Sequence, residues 1–156
     1  MKYELRIRLM VWNPSPGKTD FAKVHDALGL DIPYWRWQFG DPIDRVSGRQ
    51  YKTDGIGYRV SKTYNSNATT EIEKLLAMLD NAGAAARRLF AENSAELSIV
   101  GRIYLEDVSD EPMKTPSFHL PAHTVSKISE YGLELDVDLY VLDAGADRGF
   151  GKWGNE

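Results

Sequence analysis

The sequence predicts an α+β domain in which helices cover one face of a mainly antiparallel sheet. Some segments alternate apolar and polar residues with period two, and others have the three-to-four-residue apolar spacing of helices. Their order is strand, helix, strands, helix, strand, helix, strand, for which a ferredoxin-like sandwich is the nearest common form. At 156 residues and 17.6 kDa the chain fits one domain, which we assign to residues 1–142. Residues 143–156 are rich in glycine, lack any period and predict a mobile tail.

The first strand and the first helix have clear local signals. The segment YELRIRLMVW alternates as expected of a strand with one buried face, and its inward residues are Leu5, Ile7, Leu9 and Val11. After a loop with proline and glycine, Asp20 is the expected helix cap and Gly29 the stop. One face of this helix carries Phe21, Val24 and Leu28.

The middle of the chain predicts one further strand and one long helix. Residues 55–62, GIGYRVSK, are the expected strand. The helix is expected from Thr70, because Thr70 and Glu73 have capping-box spacing. Its apolar face comprises Ile72, Leu75, Leu76 and Leu79. Residues 81–83 interrupt it, and AAARRLFAEN continues for another turn or two.

Two strands and a short helix are expected in the last third. AELSIVGRIYLED is a strand with core residues Leu97, Ile99, Ile103 and Leu105. Pro121 suits the first position of a helix that ends at Gly132, with Val125 and Ile128 as its apolar residues. LELDVDLYV is the next strand, and its expected inward residues are Leu133, Leu135, Val137, Leu139 and Val141.

Two segments share one pattern. FAKVHDALGLDIPYW and VSKISEYGLELDVDLY each place a short helix, a Gly-Leu stop and an extended segment containing acids in the same order. Each segment also follows a strand and a loop. The pattern suggests an internal duplication.

Several of these motifs together resemble a known family. They are the opening strand, ALGL after a short helix, WRWQFGDP, the Ile72–Leu79 helix and the terminal LPAHTVSKISEYGLELDVDLYV. Their order and spacing are similar to the bacterial domain-of-unknown-function family 4279 over residues 2–142. The resemblance implies a fold and no catalytic residues. Small domains of this kind often look like immunity partners in bacterial toxin systems.

Composition restricts the function classes. The absence of cysteine excludes disulfides, thiolate metal sites and a cysteine nucleophile, and agrees with a reducing compartment. The net charge of −4 and the pI near 5.4 offer no general attraction to nucleic acid or anionic lipid, and favour a basic partner. We find no signal-peptide pattern and no apolar run of membrane-spanning length, so we expect a cytoplasmic protein without membrane contact.

Signatures of catalysis and metal binding are weak. His119 and His123 flank Pro121, so they do not share a helical face, and HExxH is absent. Asp136 and Asp138 could act as an acid/base pair only if burial separated their pKa values. We find no phosphate loop, nucleophile elbow or dinucleotide fingerprint. We therefore predict no catalytic residue, no metal and no cofactor.

The outward faces of the clear strands give the candidate site. Arg and Tyr mixed with acids are common at protein interfaces, although cross-strand ion pairs on a solvated face would use the same residues. In YWRWQFGDP, Trp35 and Trp37 share one strand face, and at least one is expected in the core, whereas Tyr34 and Arg36 take the other face and are more reachable. The expected turn at Gly40-Asp41 makes this motif first a folding element. The candidate binding residues are Arg6, Arg8, Tyr34, Arg36, Arg102, Tyr104, Asp136, Asp138 and Tyr140.

These observations lead to a ranked set of functions. The first is a non-catalytic protein-binding domain, namely an immunity protein that neutralises a basic toxin domain by occluding it. The alternative is a small-molecule-binding domain or a small hydrolase that uses the same sheet face. A third hypothesis is an RNA-binding accessory domain based on the basic residues between Arg36 and Lys62, although nucleic acid is not the expected partner.

Overall fold

The computed structural model describes residues 2–43, 47–64, 67–105 and 119–143. Within them the chain forms five strands and four helices. The strands are β1 (Lys2–Trp12), β2 (Tyr34–Trp37), β3 (Gly55–Tyr64), β4 (Ser94–Leu105) and β5 (Glu134–Asp143). The helices are α1 (Phe21–Leu28), α2 (Ala68–Ala82), α3 (Ala84–Glu92) and α4 (Ala122–Glu130). The predicted tail lies outside the described residues except for Asp143, which ends β5.

The five strands form one sheet in the order β2-β3-β1-β4-β5. All neighbouring pairs are antiparallel except β4 and β5, which are parallel. The α+β class and the mainly antiparallel sheet are thereby confirmed. The elements from β1 to β4 follow the order β-α-β-β-α-β, with the second helical segment split into α2 and α3, and α4 and β5 extend the sheet beyond β4.

The two segments with a shared sequence pattern occupy different positions in the sheet. The segment containing α4 ends in β5, which pairs directly with the preceding strand β4. The segment containing α1 ends in β2, which is separated from the preceding strand β1 by β3. The ferredoxin-like assignment and the internal duplication stay predictions.

One face of the sheet packs against the four helices. The buried side chains of β1, β3 and β4 join those of the helices in a single core cluster, which includes Leu5, Ile7, Leu9, Val11, Ile56, Tyr58, Leu97 and Ile99 from the strands and Val24, Leu28, Ile72, Leu75, Leu76, Leu79, Leu89, Phe90 and Ile128 from the helices. Burying each large apolar side chain contributes about 1.5–3 kcal/mol. We call this side of the sheet the helix face and the opposite side the open face.

The start and stop of α1 are as predicted, whereas α2 begins earlier. The side chain of Asp20 accepts a hydrogen bond from the backbone N–H of Lys23, and Gly29 adopts the left-handed conformation at φ 56°. The cap of α2 is Asn67, whose side chain accepts from the backbone N–H of Thr69. The predicted cap at Thr70 is therefore wrong: the helix gains one more turn because an asparagine upstream satisfies the first backbone donors.

The predicted apolar face of α4 is partly wrong. Val125 is 48% exposed, while Thr124 and Ile128 are buried. Pro121 is the N-cap and Ala122 the first helical residue, so the helix starts one residue later than predicted. Thr124 faces α2, where its hydroxyl donates to Glu73 Oε1 over 3.1 Å, which explains how a polar residue is buried there.

The largest departure from prediction is β5. Its register places Leu135, Val137, Leu139 and Val141 beside helix-face residues of β4, so their direction is as predicted. Their burial is not: they are 42%, 37%, 57% and 61% exposed, and the buried leucine is Leu133, just before the strand. The reason is position, because β5 is the edge strand of the described sheet, where the helix layer no longer covers the side chains.

No helix in the described part of the chain has the length and apolar composition that crossing a membrane requires.

Candidate binding face of the sheet

A β-bulge determines which charges reach the open face. The pairing of β1 with β3 shifts register between Ile7 and Arg8, so that Arg59 lies opposite Arg8 and Lys62 opposite Arg6. The bulge inserts one extra residue into β3 relative to β1. Without it, Arg59 and Lys62 would point to opposite faces, because side chains alternate along a strand. The bulge therefore places both cations on the open face.

Five cations form what we call the basic cluster: Arg6, Arg8, Arg59, Lys62 and Arg102. Glu4 lies among them, is 3% exposed and accepts a hydrogen bond from Nε of Arg6. Burial alone would raise the pKa of Glu4. The hydrogen bond from Arg6 and the charges of Arg6, Lys62 and Arg102 outweigh burial and hold this pKa below its usual value.

Arg8 is the most perturbed member of the basic cluster. Burial lowers its pKa to about 10, and the charges of Arg6, Arg102 and Arg59 act in the same direction. The guanidinium stays charged at neutral pH. Its central carbon is 5.7 Å from the ring centroid of Trp35, a cation–π distance.

The motif YWRW forms β2 and places two aromatic rings on the open face. Trp35 pairs with Gly57 and Trp37 pairs with Gly55, and each ring lies across the glycine opposite it. Trp37 is 5% exposed and stacks on Tyr51, with ring centroids 5.3 Å apart. The expectation that at least one tryptophan is buried is confirmed, since Trp37 is.

Tyr34 and Arg36 lie on the face opposite the tryptophans, as the period-two spacing predicted, but this face is the helix face and not the outward binding face expected for them. The Arg36 guanidinium lies 5.4 Å from the Phe21 ring and 5.6 Å from the Tyr34 ring. Tyr34 is 44% exposed, and its ring is 4.8 Å from that of His25. The two residues are reachable, but they lie on the other side of the sheet from the remaining candidate binding residues.

The segment after β2 is a turn. The backbone N–H of Asp41 donates to the carbonyl of Gln38 over 3.0 Å, and the Asp41 carboxylate accepts from the Gln38 N–H over 2.7 Å. Gly40 occupies φ 86°, which favours glycine. These bonds agree with turn chemistry at Gly40-Asp41.

Four carboxylates lie together at the β4–β5 side of the open face, and we call them the acidic edge: Glu96, Glu134, Asp136 and Asp138. Burial, followed by the charges of Asp136, Glu134 and Asp138, raises the pKa of Glu96. Tyr140 is 41% exposed, and its hydroxyl donates to Asp138 Oδ2 over 3.4 Å. Burial and the neighbouring Asp138 raise the pKa of Tyr140.

The structure brings most of the candidate residues to one face. Arg6, Arg8 and Arg102 belong to the basic cluster, while Asp136, Asp138 and Tyr140 lie along β5. Arg102 is 8% exposed, so only part of it is accessible. Tyr104 pairs with Lys2 and Leu142 in the sheet, and its side chain lies outside the described residues.

Sequence reasoning noted Arg59 and Lys62 only as part of a basic stretch and did not place them on the candidate face, and it missed the tryptophan–glycine pairs. A usable signal exists for the pairs, because WRW and GIG have the same period, and large aromatic rings often cover glycines on a neighbouring strand. No signal in the sequence marks the bulge.

His123 contacts an acid, and His25 contacts aromatic side chains. His123 Nε2 lies 3.1 Å from Glu73 Oε1, and His25 Nδ1 lies 3.3 Å from the hydroxyl of Tyr58. Among the described side chains, no group of three or more His, Cys, Asp or Glu residues is arranged to hold a metal ion.

Comparison with known proteins identifies the family. Residues 4–142, from β1 to β5, match the model of the family described as Domain of unknown function (DUF4279). The chain belongs to this family. The match confirms the resemblance inferred from the order of the sequence motifs, and it covers the described helices and strands except the outermost residues of β1 and β5. No curated protein and no solved structure matches the chain.

Proposed function

We propose that this DUF4279 domain is a non-catalytic binding protein that recognises a basic protein partner through β5. In this proposal it acts in the cytoplasm as a bacterial immunity protein and neutralises a toxin by occluding it. The observation that carries the proposal is the composition of β5, an edge strand with aliphatic side chains exposed on one face and acids on the other.

The aliphatic row supplies apolar contact area. Leu135, Val137, Leu139 and Val141 project from one side of a single strand and are each more than a third exposed. Contiguous apolar surface of this kind marks protein interaction sites more often than isolated exposed residues do. Tyr140, on the other side of the strand, adds an aromatic ring of the type enriched at interfaces.

The acidic edge selects the partner by charge. Glu96, Glu134, Asp136 and Asp138 repel one another, and this repulsion adds to burial in raising the pKa of Glu96. A basic partner relieves this repulsion and is attracted over a longer range by the net charge of −4. A basic toxin domain is such a partner.

The test is affinity capture of the chain from its own cells at moderate salt, with mass spectrometry of the captured proteins. The variant Asp136→Lys/Asp138→Lys, which we call the β5 variant, reverses the charge of two of the four side chains of the acidic edge. Asp26→Lys/Asp31→Lys changes the net charge equally at exposed positions on and just after α1, away from β5, and is the matched control. We expect wild type and control to retain one stoichiometric protein, and the β5 variant to retain at least about tenfold less.

The immunity function is then tested by co-expression. The captured protein should arrest growth when expressed alone, and wild type and the control variant should restore growth where the β5 variant does not. Recovery of the chain alone, or equal capture by the β5 variant, would contradict the proposed binding surface. A captured protein without toxicity would contradict the immunity role.

A further inference from the structure

Four cations of the basic cluster, Arg6, Arg8, Arg59 and Lys62, lie on β1 and β3 and are separated from β5 by β4, whereas Arg102 lies on β4 beside Tyr140. Arg8 and Arg59 are direct partners across β1 and β3, and Arg6 and Lys62 form the next pair of cations along these strands. The strand β4 separates β1 from β5, so the acidic edge begins one strand away and β5 lies two strands away. The four cations on β1 and β3 are therefore separate from the acidic side chains of β5 on the open face.

The charge balance of the cluster is strongly positive. Among the described side chains it contains five cations and the carboxylate of Glu4, which accepts a hydrogen bond from Arg6. Placing like charges this close costs free energy, and partial burial increases the cost. The lowered pKa of Arg8, caused by burial and three neighbouring arginines, is a consequence of this arrangement.

The cluster is accessible at Lys62, Arg6, Arg8 and Arg59, and Arg8 lies beside Trp35. Arg8 and Arg59 are half-buried, whereas Arg102 and Glu4 are buried beneath the surface. Arg8 also lies 5.7 Å from the Trp35 ring, which is itself half-buried. A ligand at Arg8 and Arg59 would therefore meet two guanidinium groups and lie near the Trp35 ring.

We propose that Arg8 and Arg59, supported by Arg6 and Lys62, bind the phosphoryl group of a small anionic ligand. Guanidinium groups present parallel N–H donors that match phosphoryl oxygens, and a dianion offsets more of the cluster's charge than a single carboxylate does. The source of the phosphoryl group is either free phosphate or a phosphorylated metabolite, and both offer the same oxygens to the arginines.

The test is a calorimetric titration of the purified chain with inorganic phosphate, AMP and ATP at low ionic strength. Arg8→Gln and Arg59→Gln remove one guanidinium each, and Arg88→Gln, at an exposed position on α3, is the matched control. Tryptophan fluorescence gives a second readout, because a ligand that contacts Arg8 changes the environment of Trp35. Thermal melts establish that each variant is folded.

We expect saturable binding of at least one probe. Affinity should fall about tenfold or more in Arg8→Gln and Arg59→Gln, stay within about twofold in Arg88→Gln, and weaken as NaCl is raised. AMP binding more tightly than phosphate assigns the site to a phosphorylated metabolite, and equal binding assigns it to the free oxyanion. Absence of saturable binding for all three probes, or unchanged affinity in folded Arg59→Gln, overturns the proposal. These two results would not contradict the proposed binding of a protein partner, because that binding is tested by substitution of Asp136 and Asp138.

Discussion

The stacking of tryptophan on glycine predicts a large difference between two Gly→Ala substitutions. A Cβ at Gly55 would lie 2.6 Å or less from three ring carbons of Trp37, a separation that van der Waals repulsion forbids. Trp37 cannot rotate away cheaply, because it is 5% exposed and Tyr51 stacks on it. At Gly101, the new Cβ would lie 2.7 Å from Cδ2 of Leu139, the end of a side chain that is 57% exposed and can move into solvent.

The expected magnitudes follow from these surroundings. Overpacking of this kind costs about 1–3 kcal/mol, and alanine regains about 0.5–1 kcal/mol over glycine within a strand. We therefore expect Gly55→Ala to lower the free energy of unfolding by about 1–2 kcal/mol. Gly101→Ala should leave it unchanged or raise it by up to about 1 kcal/mol.

Urea denaturation at 25 °C measures both effects, and a double-mutant cycle identifies the cause. In a Trp37→Leu background the obstructing ring is absent, so Gly55→Ala should cost less than about 0.5 kcal/mol. If Gly55→Ala is as stable as Gly101→Ala, or if its cost persists without the ring, the proposed contact does not determine the stability of this part of the sheet.

Two further predictions concern a helix cap and a carboxylate. Asn67→Ala should lower the free energy of unfolding by about 1 kcal/mol, because it removes the cap of α2, whereas Thr70→Ala should lower it by less than about 0.5 kcal/mol. Equal costs would contradict the placement of the cap at Asn67. Glu96 has a raised pKa in the folded state, so its charged form destabilises the fold once the pH exceeds the unfolded pKa of about 4.3. Glu96→Gln removes the cost of burying this charge and the repulsion from Asp136 and Glu134, and should thus stabilise at pH 7 by about 0.2–1 kcal/mol and lose this advantage below about pH 4. A stabilisation equal at both pH values in thermal melts would refute the electrostatic cause.

The sequence predicts best what depends on neighbours along the chain. The alternation of β1, the cap at Asp20 and the stop at Gly29 are local signals, and all three are found in the structure. The misplaced start of α2 shows the limit of such signals, because Asn67 and Thr70 are both acceptable caps. Only the packing of the first turn, in which Ala68 is buried, distinguishes them.

What the sequence predicts poorly depends on the order of strands. The pattern of β5 is that of a strand with one buried face, and a central position in the sheet would bury its leucines and valines. At the edge the same pattern leaves them exposed. The bulge opposite Ile7 and Arg8 is another non-local feature, since it is defined only by the pairing with β3. Both features determine the candidate binding face, which explains why Arg59 was not among the predicted residues.

The two proposed sites can be tested separately because of the spacing of the sheet. Neighbouring strands lie about 4.8 Å apart, so side chains on β1 and β5 are about 10 Å apart across the open face. This distance slightly exceeds the Debye length of about 8 Å at physiological ionic strength. Reversing Asp136 and Asp138 therefore strengthens the binding of a dianion at Arg8 by only about 1 kcal/mol at this salt concentration. In that variant, loss of a basic partner should be accompanied by anion binding that is at most about fivefold tighter than in wild type when both are measured at physiological ionic strength. A larger change in anion affinity would mean that the two charged regions form one site, and a ligand bridging β1 and β5 would then replace the two separate proposals.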